Sequence, residues 1–329
     1  MAKDFSGKKI LLSRTDNIGD VMLSLPVAGF LKQMYPNCII YFLGKTYTKI
    51  LIESCVYVDH FVDVSDFLGL QSNQNQIDLI IHLFPNKEIA NHAKSIKIPN
   101  RLGTRNRLFH WFTCNILSSL SRKNSDFHEA ILNILLIKPI TGEQTIRFED
   151  LIKLSGFQPK IEMAQTWKEN LDPNKIKVII HPKSKGSARE WGLENFGNLL
   201  NKLFQSAQYQ VFLSGTEEEG KQIRSWANDF PELIDLTGKM DLRQFIGFIQ
   251  SCDVLIAAST GPLHIASALG KRAIGLFAPM RPIHPGRWAP IGSNSRTMVI
   301  KKDCSDCRKT SDCHCIRSIQ TDSVLNAMI

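Results

Sequence analysis

The chain has 329 residues, 43% of them apolar, which is enough for two domains with cores of ordinary size. Its 40 basic and 31 acidic residues leave a net charge of +9, which favours anionic partners: nucleic acid, phosphorylated small molecules or an anionic membrane surface. No apolar run approaches the length of a membrane span, and "MAKDFSGKK" lacks the apolar middle of a secretory signal, so a cytoplasmic protein is expected.

"KKILLS" (8–13) reads as a first buried strand. "RTDNIGD" (14–20) follows, with Gly19 expected to allow a tight turn and Asp20 at the mouth of a helix. That carboxylate reads either as a helix cap or as a catalytic base. The helix carries Val21, Leu25, Ala28, Leu31 and Met34 on one face and stops at Pro36. "CIIYFL" (38–43), "HFVDV" (60–64) and "IDLIIHL" (77–83) read as further strands. The most basic stretch, 94–107, holds Lys94, Lys97, Arg101, Arg105 and Arg107, as a solvated face or a binding surface.

Around 160–175 the chain turns polar, with Asp172-Pro173-Asn174 as a turn signal. The alternation then restarts. "KVIIHP" (177–182), "QVFLSG" (210–215), "DVLIAA" (253–258) and "RAIGLFA" (272–278) read as strands, with helices over 193–204, 217–228 and 261–270 between them. Strands alternating with helices predict a parallel sheet covered on both faces. The expectation is an α/β chain of two doubly wound domains, 1–168 and 169–329.

In such sheets ligands bind just beyond the carboxyl ends of strands. "STGPLH" (259–264) opens a helix after a strand, so its backbone N–H groups form a ready anion site. Ser259 or Thr260 can cap the helix, Gly261 permits close approach, Pro262 forfeits no needed donor, and His264 lies in the first turn. An ordinary capped helix is the competing reading. "HPKSKGSAREW" (181–191) supplies Lys183, Lys185 and Arg189 for a pyrophosphate. "SGTEEEG" (214–220) places Glu217 where it can hold ribose hydroxyls or merely favour the helix dipole. There is no G-x-G-x-x-G or P-loop motif, which argues against nicotinamide binding and ATP hydrolysis.

"RTDNIGDVMLSLPVAGFLKQMYP" and "STGPLHIASALGKRAIGLFAP" resemble the two signatures of glycosyltransferase family 9, the ADP-heptose:lipopolysaccharide heptosyltransferases. "HPKSKGSAREWGLENF" and "SGTEEE" fall between them in the expected order. The resemblance implies a GT-B fold of two Rossmann-like domains facing a central cleft. The N-terminal domain would hold the acceptor and the C-terminal domain the nucleotide sugar. It further implies an inverting, metal-independent transfer of a sugar, heptose from ADP-heptose, to the lipopolysaccharide inner core. Asp20 matches the base. Lys185, Arg189, Glu217, Ser259, Thr260, Gly261 and His264 fall to the donor, although Ser259 stands where several members have Asp. No cofactor is required for catalysis.

Arg101, Arg105 and Arg107 are candidates for a polyanionic lipid A–Kdo acceptor, and the same charge would bring the chain to the inner membrane face without spanning it. Cys304, Cys307, Cys313 and Cys315, in the loop 304–315, have spacing that suits a structural zinc or simply reduced thiols. Alternatives are a transferase of the same fold with another donor sugar, a nucleotide-sugar epimerase, and a basic nucleic-acid-binding protein. The last lacks a contiguous basic-aromatic pattern, so no nucleic-acid partner is expected.

Overall fold

Short apolar runs separated by amphipathic helices have one economical arrangement, a parallel sheet with helices on both faces. The computed structural model describes residues 4–123, 125–300, 304 and 312–329. It divides into two units, Met1–Pro159 and Lys160–Ile329.

Among the described residues, the first unit is built on six strands: β1 (Lys9–Ser13), β2 (Ile39–Gly44), β3 (His60–Asp63), β4 (Leu79–His82), β5 (Asn100–Thr104) and β6 (Ile116–Ser118). They lie in the order β3-β2-β1-β4-β5-β6, and every ladder is parallel. Ile10, Leu11 and Leu12 of β1 are buried from both sides, as a central parallel strand requires.

The second unit has β7 (Ile176–His181), β8 (Tyr209–Leu213), β9 (Ile234–Asp235), β10 (Val254–Ala258), β11 (Arg272–Phe277) and β12 (Ser295–Val299). Their order is β12-β11-β10-β7-β8-β9, again wholly parallel. Counted from β7, this is the same topology as the first unit. Each sheet therefore has one switch point, where successive crossovers leave in opposite directions: between β1 and β4, and between β7 and β10. This matches the GT-B architecture of two Rossmann-like units.

Three expectations need correction. The single long first helix is two, Ile18–Met22 and Pro26–Met34. Pro26 lacks an N–H and its ring would meet the carbonyl four residues back, so it starts a new helix. Gly19 lies within the first of these helices and makes no turn out of the strand. The unit boundary falls after Pro159, earlier than residue 168. The reason is apolar: Ile161 and Met163 pack against Gly247, and Trp167 meets Phe248 edge-on at 6.3 Å. The polar turn at 172–174 lies inside the second unit.

Among the described residues, no helix is long and apolar enough to cross a membrane. The second core closes around Trp191, which is fully buried, edge-on to Phe196 at 5.0 Å, and donates its indole N–H to the Ile319 carbonyl at 3.0 Å. The C-terminal segment is thus tied to the helix Leu193–Phe204, which Lys202 reinforces by pairing with Asp322. Trp191→Ala should cost about 3–5 kcal/mol through the cavity and the orphaned carbonyl. A denaturant titration of the two proteins checks this.

Candidate active site

The first unit places an arginine where β1 ends. Arg14 is only 2% exposed, and a buried guanidinium must be matched by charge and hydrogen bonds. Its Nε donates to Asp16 Oδ1 at 2.7 Å and its Nη2 to Asp20 Oδ1 at 2.5 Å. Nη1 reaches Asn133 Oδ1 at 3.4 Å, the Leu83 carbonyl at 3.5 Å, and Glu129 Oε1 at 3.7 Å. Leu83 directly follows β4, so this one side chain spans the switch point of the sheet. Burial opposes the charge on Arg14, but Asp16, Asp20 and Glu129 together outweigh it and hold the guanidinium protonated.

Glu129 and Asn133 stand one turn apart on the helix Glu129–Leu136, and both are buried. Arg122 pairs with Glu129 at 3.0 Å and donates to Asn133 at 2.8 Å. Asn133 in turn donates to the Leu23 carbonyl at 3.0 Å, just beyond the helix that carries Asp20. The catalytic candidate is therefore held from two directions.

Asp20 is not a cap. Asn17 occupies the N-cap position, without a side-chain capping bond, and Asp20 lies inside the first turn. Among the described residues its carboxylate accepts a hydrogen bond from Arg14 alone. One oxygen is anchored and the other is left for a ligand. Asp16 is a second carboxylate on the same guanidinium, and its backbone carbonyl accepts the Tyr47 hydroxyl at 2.6 Å. Burial pushes the Asp16 carboxyl up to about 6, against the pull of Arg14, with neighbouring Asp20 adding to the rise.

The second unit presents a helix start and basic side chains at the matching edge of its sheet. Thr260 sits at the N-cap of the helix Gly261–Ala268, yet its hydroxyl donates to the Ala258 carbonyl at 3.3 Å and caps nothing. No side chain at the N-cap takes up the first N–H groups of that helix, so the capped-helix reading fails locally. Pro262 lies in the first turn and His264 is buried there. Across the switch point, the loop after β7 runs through Lys185 and Gly186, both at positive φ (48° and 78°). Lys185 is exposed, Arg189 is half-buried, and Lys183 is paired to Glu190 at 2.6 Å. His181, at the end of β7, is held neutral chiefly by burial and meets Ser214 Oγ at 3.0 Å.

The three glutamates after β8 have separate duties. Thr216 and Glu219 form a reciprocal capping box, which leaves Glu217 free of that task. Glu217 pairs loosely with Arg224 at 3.5 Å and lies over Gly238. Gly238 has φ +72°, and a Cβ there would stand 2.2 Å from Glu217 Oε2, so only glycine lets the carboxylate lie in this place.

The model of glycosyltransferase family 9 (heptosyltransferase) matches residues 152–315. The chain belongs to glycosyltransferase family 9. It is 28% identical over 303 residues to an unproven glycosyltransferase of Haemophilus influenzae, covering 86% of each chain. It is 22% identical to the lipopolysaccharide core heptosyltransferase OpsX of the same organism, over 90% of this chain and 85% of the relative. The structure of Escherichia coli ADP-heptose lipopolysaccharide heptosyltransferase II superposes with a TM-score of 0.76 at 18% identity, over 97% of both chains. The enzyme is a glycosyltransferase.

In this transferase Asp20, Lys185, Glu217 and Thr260 lie just beyond the carboxyl ends of strands of their own sheets, whereas Arg101 and the cysteines do not. Arg101 is spent on its own unit, its guanidinium donating to the carbonyls of Thr113, at 2.6 Å, and Ile98. Arg105 and Arg107 remain exposed. Ser259 is half-buried beside Thr260. Cys313 and Cys315 are buried in the apolar core with Ile316 and Val324, and Cys304 packs against its margin. Cys307 lies outside the described residues. Among the described residues, no group of three or more His, Cys, Asp or Glu side chains is placed to hold a metal.

Arg14, Asp16, Glu129 and Asn133 escaped the sequence reading. Arg14 and Asp16 were visible inside "RTDNIGD", as a cation followed by two carboxylates. Glu129 had no signal, because a buried partner so far along the chain leaves no local pattern.

The titration of Asp16 gives a test. Its folded value of about 6 lies above its ordinary 3.8, so the native state holds that proton more tightly. This group's stabilisation is present below about pH 4 and is lost as pH rises towards 6. Asp16→Asn should flatten the fall in thermal midpoint across that window, measured at a series of pH values. An unchanged slope would assign the effect elsewhere.

Proposed function

We propose that the enzyme transfers a heptosyl group from ADP-heptose to the lipid-linked inner core of lipopolysaccharide, with inversion at the anomeric carbon and without a bound metal. The observation that carries the reading is Asp20, fixed by Arg14 through one oxygen at the switch point of the first sheet. The names of the relatives supply the donor and acceptor class.

A sugar hydroxyl becomes a competent nucleophile only as its proton leaves. Asp20 takes that proton while the hydroxyl oxygen bonds to the anomeric carbon. The bond from that carbon to the diphosphate oxygen breaks, and the electron pair leaves with the nucleoside diphosphate. A single displacement inverts the centre. Arg14 orients Asp20. In the second unit the backbone N–H groups at the start of the Gly261–Ala268 helix, with Lys185 and Arg189, receive the charge that grows on the leaving diphosphate. Glu217 takes the ribose hydroxyls. Arg105 and Arg107 meet acceptor phosphates or carboxylates, and the enzyme works at the cytoplasmic face of the inner membrane.

Asp20→Asn keeps the Arg14 contact but cannot accept a proton. Transfer should fall by roughly 10²–10⁴-fold with donor affinity nearly unchanged. Near-normal turnover would sink the role of Asp20. In a donor panel, ADP-heptose should raise the thermal midpoint where UDP- and GDP-sugars do not. Transfer should also persist in excess chelator, and its loss there would refute metal independence.

A further inference from the structure

One short helix of the first unit is turned the wrong way for a soluble protein. In Leu108–Thr113 the polar His110 and Thr113 are buried, while Leu108, Trp111 and Phe112 are 74%, 55% and 69% exposed. The inward side is committed. His110 stacks on buried His82 at 5.3 Å, and Gly103 leaves room for its ring. The helix cannot roll over to hide its apolar side chains without breaking this packing. Three large apolar groups on fewer than two turns form a patch that calls for a partner.

The surroundings of the patch carry one sign of charge. Residues 89–125 contain seven Lys and Arg and no Asp or Glu. Three of these cations border the helix and are exposed. Arg107 is its N-cap residue, the Arg105 carbonyl accepts the Trp111 indole N–H at 2.9 Å, and Lys94 Nζ donates to the Phe112 carbonyl at 2.9 Å.

We propose that Leu108, Trp111 and Phe112, rimmed by Lys94, Arg105 and Arg107, are a docking surface that enters the headgroup region of an anionic lipid bilayer. Charge decides the occupant. A second copy of this chain, meeting patch to patch, would set arginine against arginine. An anionic bilayer neutralises the rim and receives the apolar side chains together, and an indole suits the boundary between the two. The helix begins beyond the carboxyl end of β5, two strands from β1, so the docked lipid lies at the same sheet edge as Asp20. This inference deepens the lipid-acceptor reading above, but its test reads membrane binding and not transfer.

The full chain is sedimented with vesicles of phosphatidylcholine alone and with added phosphatidylglycerol. Binding should require the anionic lipid and weaken with salt. The triple variant Leu108→Ser/Trp111→Ser/Phe112→Ser should partition at least roughly tenfold less. Its circular dichroism and its transfer to a delipidated acceptor should match the parent. Emission from Trp111, taken as the difference from Trp111→Phe, should shift to the blue on anionic vesicles and be quenched by brominated acyl chains. That optical test stands even if the triple variant fails to fold. Equal vesicle binding by parent and triple variant, no binding by the parent, or an unshifted Trp111 would overturn the proposal. So would a parent dimer that the triple variant abolishes, which would assign the patch to a second copy.

Discussion

A buried positive charge organises the first unit. Arg14 stands at the end of a central strand, out of contact with water, and needs several oxygens to remain there. The fold draws them from four places: the turn at Asp16, the helix of Asp20, the exit of β4 at Leu83, and the Glu129–Leu136 helix. Removing the guanidinium would leave Glu129 buried with one cation fewer, and breaking such a pair costs on the order of 3–5 kcal/mol. The same bonds that meet this requirement fix the geometry of Asp20. Stability and the placement of Asp20 rest on one side chain.

The two sheets share a strand order, but their switch points have opposite chemistry. Between β1 and β4 the loops bring carboxylates, held in place by an internal arginine. Between β7 and β10 they bring a helix end without a side-chain cap, a loop with positive φ at Lys185 and Gly186, and a half-buried Arg189. The first arrangement presents carboxylates and the second presents N–H groups and cations. Glu217 is not needed for capping, because Thr216 and Glu219 cap the helix by themselves, and a glycine at 238 clears its place. Identical topology thus carries different side-chain chemistry, since that depends on what stands after the strands.

Much of the fold was legible, and the misses have physical reasons. β1, β4, β7, β10 and β11 are aliphatic runs buried on both faces, and such runs announce themselves. β5, "NRLGT", has one aliphatic side chain, β9 has two residues, and β12 is a half-exposed edge strand. These strands exist because a neighbour offers its backbone, not because their own sequence asks for it. The outward-facing helix "LFHWFT" misleads in the opposite sense. Its composition suggests a core element, while the buried His82–His110 stack turns the apolar side chains to the surface.

By itself the sequence determined the alternation of strands and helices, the parallel sheets that follow from it, the basic balance, and the motifs that carry Asp20, Glu217 and Thr260. Each of these is written in residue spacing, since hydrogen bonding and one-sided burial are local. Tertiary structure alone decided that Asp20 answers to Arg14 instead of a backbone N–H. It alone set Glu129 against Arg14, spent Arg101 on its own carbonyls, and left the start of the Gly261–Ala268 helix without a side-chain cap. The reason is desolvation. A buried charge takes whichever oxygens the packing brings to it, and no spacing along the chain records which distant helix that will be.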